Sequence, residues 1–238
     1  MNPAANGSRA FVDEGNLTYG NGLTKAFYSW FPTLGSDSTM LDLGCGYRRF
    51  EDVCQVTGAE YIALDVDGSS PHVLGRGEAL PFKDESLDFV LSIATLPHTE
   101  HPSLATHEIN RVLRPGCLFM GTSQFLEPCF MASRHHGSAL GVIDWLDDGG
   151  LEILFLEPNL EWDAFLALAG MSYFPCTGAG RLLPLFKSTV TQLHRWLWKL
   201  SPPKERQVEN KVYYGQGSPE AYTAGFRFIA RKPIVGMH

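Results

Sequence analysis

Two carboxylates flanking a glycine turn are the groups in this 238-residue chain best placed to do chemistry. Asp42 lies near the end of a short apolar run and is followed by Gly44, Cys45 and Gly46, in the segment TMLDLGCGYRRF. Asp65 closes a second apolar run 23 residues later, in YIALDVD. A strand, a glycine turn and a helix start make a backbone cradle, because glycine lets the chain turn tightly and lets a ligand approach the amides. A carboxylate at the end of the next strand can accept hydrogen bonds from both hydroxyls of a ribose. The pattern predicts an adenosine-bearing ligand.

The details of the turn discriminate between such ligands. A dinucleotide turn reads GxGxxG and sets a pyrophosphate on the helix N-terminus. Here the segment is GCGYRR, with Arg48 where a third glycine would be sought and Arg49 at the sixth position. Asp42 would repel a pyrophosphate and attract an ammonium or sulfonium group. The turn therefore favours S-adenosylmethionine over NAD.

LDLGCG resembles the first motif of the class I S-adenosylmethionine-dependent methyltransferases. GEALPFKDESLDFVLSIATLPH, residues 77–98, resembles that family from its second motif onward. HEINRVLRPG, residues 107–116, resembles the helix and turn that follow, and YTAGFRFIARKP resembles the family's final strand. The resemblance implies that Asp42, Gly44, Cys45 and Gly46 hold the amino-acid end of the cofactor, and Asp65 with Val66 the ribose. It implies Glu78 and Ala79 at the adenine, with Leu80 packed on its face. Ile93, Ala94 and Thr95 end the fourth strand at the carboxyl edge, where such sheets bind ligands, and His98 sits just beyond, near the expected place of the reactive methyl group. The chain departs from the family pattern in three places, one of them the 160–220 insertion before the last strand. Arg76 takes the place of a frequent Asp, so Glu78 is expected to supply the adenine contact. The stretch VDGSSP is too short for the usual helix between the second and third strands.

Methyl transfer needs alignment and dryness more than a catalytic side chain, and a base only where the nucleophile must shed a proton. His98, His135 and His136 are the catalytic candidates on that account. Gln124, Glu127 and His136, in and around the loop after the fifth strand, are the candidate substrate contacts. The five cysteines show no CxxC spacing and read as reduced thiols, so no metal site is expected.

These residues require a particular frame. Apolar runs at 40–43, 61–64, 72–74, 87–93, 117–121, 151–156 and 225–230 predict strands. Helical faces are expected over 21–31, from Phe50 to Gly58 (Phe50, Val53, Cys54), over 103–113 with Ser103 as cap, and over 139–149. The pattern predicts an α/β fold: a doubly wound, mostly parallel, Rossmann-like seven-stranded sheet with its last strand antiparallel. Residues 1–20 read as a mobile arm, and 21–238 as a single methyltransferase domain with a helical insertion or lid at about 160–220. A long helix over 184–200 suits packing on the sheet, a wall over the acceptor, interfacial membrane contact or a homodimer interface. The net charge of −7 makes a nucleic-acid partner unlikely. The first residues do not read as a secretory leader and no stretch is long enough to span a bilayer, so a cytoplasmic location is expected. The function expected is methyl transfer to an O, N or C atom of a small molecule, such as a natural-product or glycan-pathway intermediate. Two alternatives stay open: a protein that binds the cofactor as a scaffold or for a non-methylating rearrangement, and an NAD-dependent oxidoreductase.

Overall fold

A computed structural model of the chain describes residues 25–67, 71–127, 133–159, 205–208, 211–214 and 223–234, together with Thr189, Leu193 and Trp196. The apolar runs form strands β1 (Thr39–Leu43), β2 (Glu60–Asp65), β3 (Val73–Leu74), β4 (Leu87–Ile93), β5 (Leu113–Gln124) and β6 (Glu152–Pro158). Strands β7 (Glu205–Val208) and β8 (Lys211–Tyr214) pair only with each other, and β9 (Gly225–Arg231) returns to the main sheet. The seven-stranded sheet runs β3-β2-β1-β4-β5-β9-β6. Its first five strands are mutually parallel, and β9 lies antiparallel between β5 and β6. The order reverses at β1, between β2 and β4, and a ligand in such a sheet sits outside the carboxyl ends of the strands at that reversal.

Alternation along the strands sends side chains to two cores. Leu41, Leu43, Val90, Phe119 and Phe228 face α3 (Pro102–Val112) and α4 (Ala139–Asp148), meeting Ile109, Val112 and Leu146. Met40, Phe89, Leu91, Met120 and Ile229 face the other way, against Phe27 and Tyr28 of α1 (Lys25–Tyr28) and Cys54 of α2 (Glu51–Gln55). Fully burying a side chain of this size contributes about 1.5–3 kcal/mol, and the two layers clamp the sheet from both sides.

Several boundaries differ from the sequence expectation for identifiable reasons. Helix α3 starts at Pro102 with His101 as its N-cap residue, since proline's fixed φ and missing N–H suit the first helical position. Ser103, expected as the cap, instead donates its hydroxyl to Asp148 Oδ2 at 3.0 Å. Strand β5 begins at Leu113, four residues before the run expected from Cys117. Its partner register jumps from Leu87↔Leu113 to Phe89↔Leu118, so the Arg114–Cys117 stretch bulges around Gly116 at φ +82°. The β7–β8 pair was not anticipated at all. The proposed arm over 1–20 lies outside the described residues. So does the helix over 184–200, except for Thr189, Leu193 and Trp196, which are helical with Leu193 and Trp196 exposed. Among the described residues, no helix is long and apolar enough to cross a membrane.

Candidate active site

The glycine turn sits at the reversal in strand order. Gly44 has φ +75° and Gly46 φ +52°, the left-handed region that glycine enters without a Cβ penalty. The amides of Gly44 and Cys45 donate to the carbonyl of Leu64 at the end of β2 (2.8 and 3.2 Å), which anchors the turn. A Cβ on Gly44 would lie 2.1 Å from Thr95 Oγ1, so that glycine is needed for close packing against the end of β4. A Cβ on Gly46 would meet nothing within 4 Å among the described residues. One glycine is thus closed by protein and the other opens onto free space, as a ligand cradle requires.

Asp42 is almost wholly buried, and its Oδ2 accepts from the Tyr61 hydroxyl at 2.7 Å. Burial, with smaller contributions from the nearby Asp65 and Glu51 charges, pushes its carboxyl up to about 7 against the lowering effect of the Tyr61 hydrogen bond. Burial and the Asp42 charge in turn push the Tyr61 hydroxyl up, so it stays a donor. Asp65 reaches across the mouth of the turn. Its Oδ2 accepts the Gly46 amide at 2.8 Å and its Oδ1 the amide of Val66 at 2.7 Å. Val66 itself is exposed beside it. Cys45 is buried, and burial followed by the Asp42 charge pushes its thiol up to about 12. That marks it as a packing residue rather than a nucleophile.

The structure also answers what Arg48 does in a glycine's place. It adopts φ +54°, the conformation a glycine would have, at a cost of roughly 1–2 kcal/mol for a residue with a Cβ. Its Nη1 lies 2.8 Å from His72 Nε2 and its Nε 3.6 Å from Glu51. His72 donates its backbone N–H to the Ala63 carbonyl at 2.9 Å, and its ring stands edge-on to Tyr61 with centroids 5.8 Å apart. A continuous line runs from Arg48 at the surface through His72 and Tyr61 to buried Asp42. The arginine in a glycine's place and the shortened β2–β3 connection meet in this line.

The adenine side is more committed to protein than the sequence suggested. Glu78 Oε1 accepts the amide of Glu100 at 2.6 Å. Arg76 pairs with Glu100 at 3.4 Å, which also takes Arg134 at 3.2 Å. Ala79 stays exposed next to them. Leu80, expected against the base, is buried in the core, because its amide is held by Glu108 Oε2 (2.8 Å) and its carbonyl by Arg111 (3.0 Å). Arg111 binds Phe82 and Asp84 as well and so fixes the whole 80–84 turn.

At the end of β4, Ile93 is buried and Ala94 is left-handed at φ +57°. The Ala94 amide donates to Thr122 Oγ1 and to the Thr122 carbonyl (3.0 and 3.1 Å). His98 is half-buried at the end of the 3-10 turn Leu96–His98, one turn beyond. His135 lies further out, with Nε2 3.2 Å from the Glu100 carbonyl and its ring edge-on to Trp145. His136 Nδ1 donates to the Phe125 carbonyl at 2.9 Å, which leaves Nε2 to accept from the Ser133 hydroxyl at 3.3 Å. Both nitrogens are thereby used in holding the loop to the end of β5. Gln124 ends β5 and is buried. Glu127 is half-buried, and burial pushes its carboxyl up to about 7. In line with Thr122 across the sheet, Arg227 of β9 pairs with Glu157 of β6. The contacts made by Tyr61, His72, Thr95 and this Arg227–Glu157 pair escaped the sequence reading. Only register shows them: Tyr61 lies opposite Met40, which places its hydroxyl diagonally over Asp42.

A doubly wound sheet with an antiparallel strand inserted before its edge, carrying a glycine turn between two carboxylates, defines the class I methyltransferase fold. Residues 41–120 match the family model described as "Methyltransferase domain". A protein of Mycobacterium marinum, described as an uncharacterized methyltransferase, is 33% identical over 93 residues, covering 34% of this chain and 36% of the relative. The match thus spans about a third of that relative's length. Among solved structures, the [4+2]-cyclase SpnF superposes with a TM-score of 0.55 at 17% identity, over 88% of this chain and 79% of that one. The Haemonchus contortus phosphoethanolamine N-methyltransferase 2, in complex with S-adenosyl-L-methionine, gives 0.53 at 14% identity over 88% and 52%. Over residues 41–120, then, the chain matches a methyltransferase domain, and its sheet has the class I methyltransferase fold.

Proposed function

We propose that this protein transfers a methyl group from S-adenosylmethionine to an oxygen, nitrogen or carbon atom of a small molecule. The observation that carries the proposal is the turn itself: Gly44 closed by Thr95, Gly46 open to space, and a carboxylate on either side. The residues fit the cofactor. Buried Asp42 suits its ammonium group, and the two oxygens of Asp65 keep lone pairs for ribose hydroxyls while holding the turn. The exposed backbone at Ala79 suits the adenine edge. When bound, the cofactor supplies an activated methyl on a sulfonium centre. The chain's part is to hold the nucleophile in line, keep water out and receive a proton where one must leave. Glu127, raised toward neutrality, suits that last task better than His136, whose nitrogens are both engaged. The net charge of −7 favours a small-molecule acceptor over nucleic acid.

A second reading has one observation in its favour. SpnF, of similar fold, is described as a cyclase. The same frame can host a cofactor-bound scaffold that steers a rearrangement. Calorimetric titration with S-adenosylmethionine, S-adenosylhomocysteine and NAD in parallel separates the readings at the cofactor. Binding of the first two and not of NAD is expected, and NAD binding alone would overturn the proposal. Accumulation of S-adenosylhomocysteine during turnover then distinguishes transfer from rearrangement. Asp65→Ala should weaken S-adenosylhomocysteine binding by more than about 1 kcal/mol, since it removes charge-assisted acceptors and frees the Gly46 amide. Unchanged affinity would mean that the ribose lies elsewhere.

A further inference from the structure

We infer that Gln124 orients the methyl acceptor, and that the acceptor presents an N–H or O–H donor to its side-chain oxygen. The inference rests on the methyl-transfer reading and gives it a substrate class: an amine, amide or hydroxyl compound, not a carbon nucleophile lacking a donor.

Gln124 is the last residue of β5 and only 7% exposed. The amide orientation follows from its neighbour. The Ala94 carbonyl can only accept, so the Gln124 nitrogen must face it, and Nε2 donates there at 3.4 Å. Oε1 is then turned to the other side, where it is buried with no hydrogen-bond partner among the described residues. Buried acceptors without donors are costly and uncommon, and a persistent one calls for a ligand or water that completes it.

The location argues for a ligand. Ala94 holds a left-handed φ of +57°, a strained conformation for a residue with a Cβ, and such strain clusters at binding and catalytic sites. The two hydrogen bonds from its amide to Thr122 keep it there. The next residue, Thr95, fills the space beside Gly44. The orphan oxygen is therefore separated from the cofactor turn by a single two-residue corner, Ala94–Thr95, at the carboxyl edge of the sheet where ligands bind. An acceptor bound to Gln124 would lie over the carboxyl ends of β4 and β5, with the Arg227–Glu157 pair on the β9 side.

The test uses cofactor analogues in which nitrogen replaces sulfur and carries a 2-hydroxyethyl or 3-hydroxypropyl chain in place of methyl. Their near-isosteres carry propyl or butyl. Binding of each, and of S-adenosylhomocysteine, is measured calorimetrically to the full-length protein and to Gln124→Leu. At least one hydroxyl analogue should bind the native protein about tenfold more tightly than its alkyl isostere. Gln124→Leu should erase that preference while binding S-adenosylhomocysteine as the native protein does. The inference is overturned if neither hydroxyl analogue is preferred by the native protein, or if the preference survives in Gln124→Leu. A tenfold loss of S-adenosylhomocysteine affinity in Gln124→Leu would also overturn it, by assigning the orphan oxygen to the cofactor. Should S-adenosylhomocysteine fail to bind the native protein, the cofactor reading itself falls and this inference with it. The comparison within the native protein stands even if the variant does not fold.

Discussion

Asp42→Asn is expected to make the ligand-free protein more stable at pH 8 while weakening its hold on S-adenosylmethionine. Asp42 carries a carboxyl that burial raises to about 7, so between its unfolded value near 4 and this folded value the native state binds more protons than the unfolded chain. Stability therefore falls as pH rises through that window, and the full penalty of a buried charge is present above pH 7. Asparagine keeps the shape and an oxygen to accept the Tyr61 hydroxyl, and it carries no charge to desolvate. The gain from Asp42→Asn should be larger at pH 8 than at pH 5 by roughly 2–3 kcal/mol, read from urea unfolding at both values. Comparing the variant with the native protein cancels the parallel contribution of Glu127, whose carboxyl is raised in the same direction. An equal gain at the two pH values would mean that the buried charge is not its origin. For the cofactor the sign reverses. An ammonium beside Asp42 favours its ionised form, so binding near pH 6.5 should release protons from the native protein and not from Asp42→Asn. Calorimetry in buffers of different ionisation enthalpy reads that difference directly. On this account Asp42 costs the fold stability above pH 7 and is the group expected to meet the cofactor's ammonium.

The same residue shows how far the sequence could be read. Asp42, Gly44, Gly46 and Asp65 were legible because glycine and carboxylate requirements at a strand end are local, set by backbone geometry and charge. The strand alternation was legible for the same reason, and with it the sheet's class. Tyr61, His72 and Thr95 were not, because each acts through a neighbour distant in sequence. Thr95 matters only because β4 lies beside β1, and Tyr61 only because Met40 is its partner in register. Arg48 looked like a defect in a glycine motif. It takes a glycine's conformation, φ +54°, and its guanidinium lies against His72 across the shortened β2–β3 connection. Glu78 is a different case. Its type and place suggested a base contact, and nothing in the sequence signalled that one of its carboxylate oxygens also accepts the Glu100 amide. The β7–β8 pair has no long-range partner among the described strands, and nothing in the apolar periodicity announced it.

Gly44→Ala should cost more than any other single-methyl change at the site, and Thr95 should account for most of the cost. The added Cβ would lie 2.1 Å from Thr95 Oγ1, 2.3 Å from Cγ2 and 2.7 Å from Cβ, all closer than carbon and oxygen can approach. Thr95 cannot simply swing away, because its hydroxyl donates to the Leu43 carbonyl at 3.0 Å and so ties the end of β4 to β1. Overpacking of this kind costs about 1–3 kcal/mol, and φ +75° adds about 1–2 kcal/mol for a residue with a Cβ. A loss of roughly 2–5 kcal/mol in stability is expected, with S-adenosylhomocysteine binding weakened at least about a hundredfold as the cradle is pushed open. Gly46→Ala provides the contrast. It meets no atom of the described residues within 4 Å, so it should cost only the backbone conformation, about 1–2 kcal/mol, while still obstructing the ligand. Thr95→Ala removes the two atoms nearest the new methyl and leaves Thr95 Cβ and the φ penalty in place. In that background Gly44→Ala should be milder by about 1–3 kcal/mol, a coupling that urea unfolding of the four proteins measures. Equal losses in both backgrounds would mean that the turn rejects a side chain for its backbone conformation alone. The close approach of β4 would then have no part in shaping the cofactor cradle.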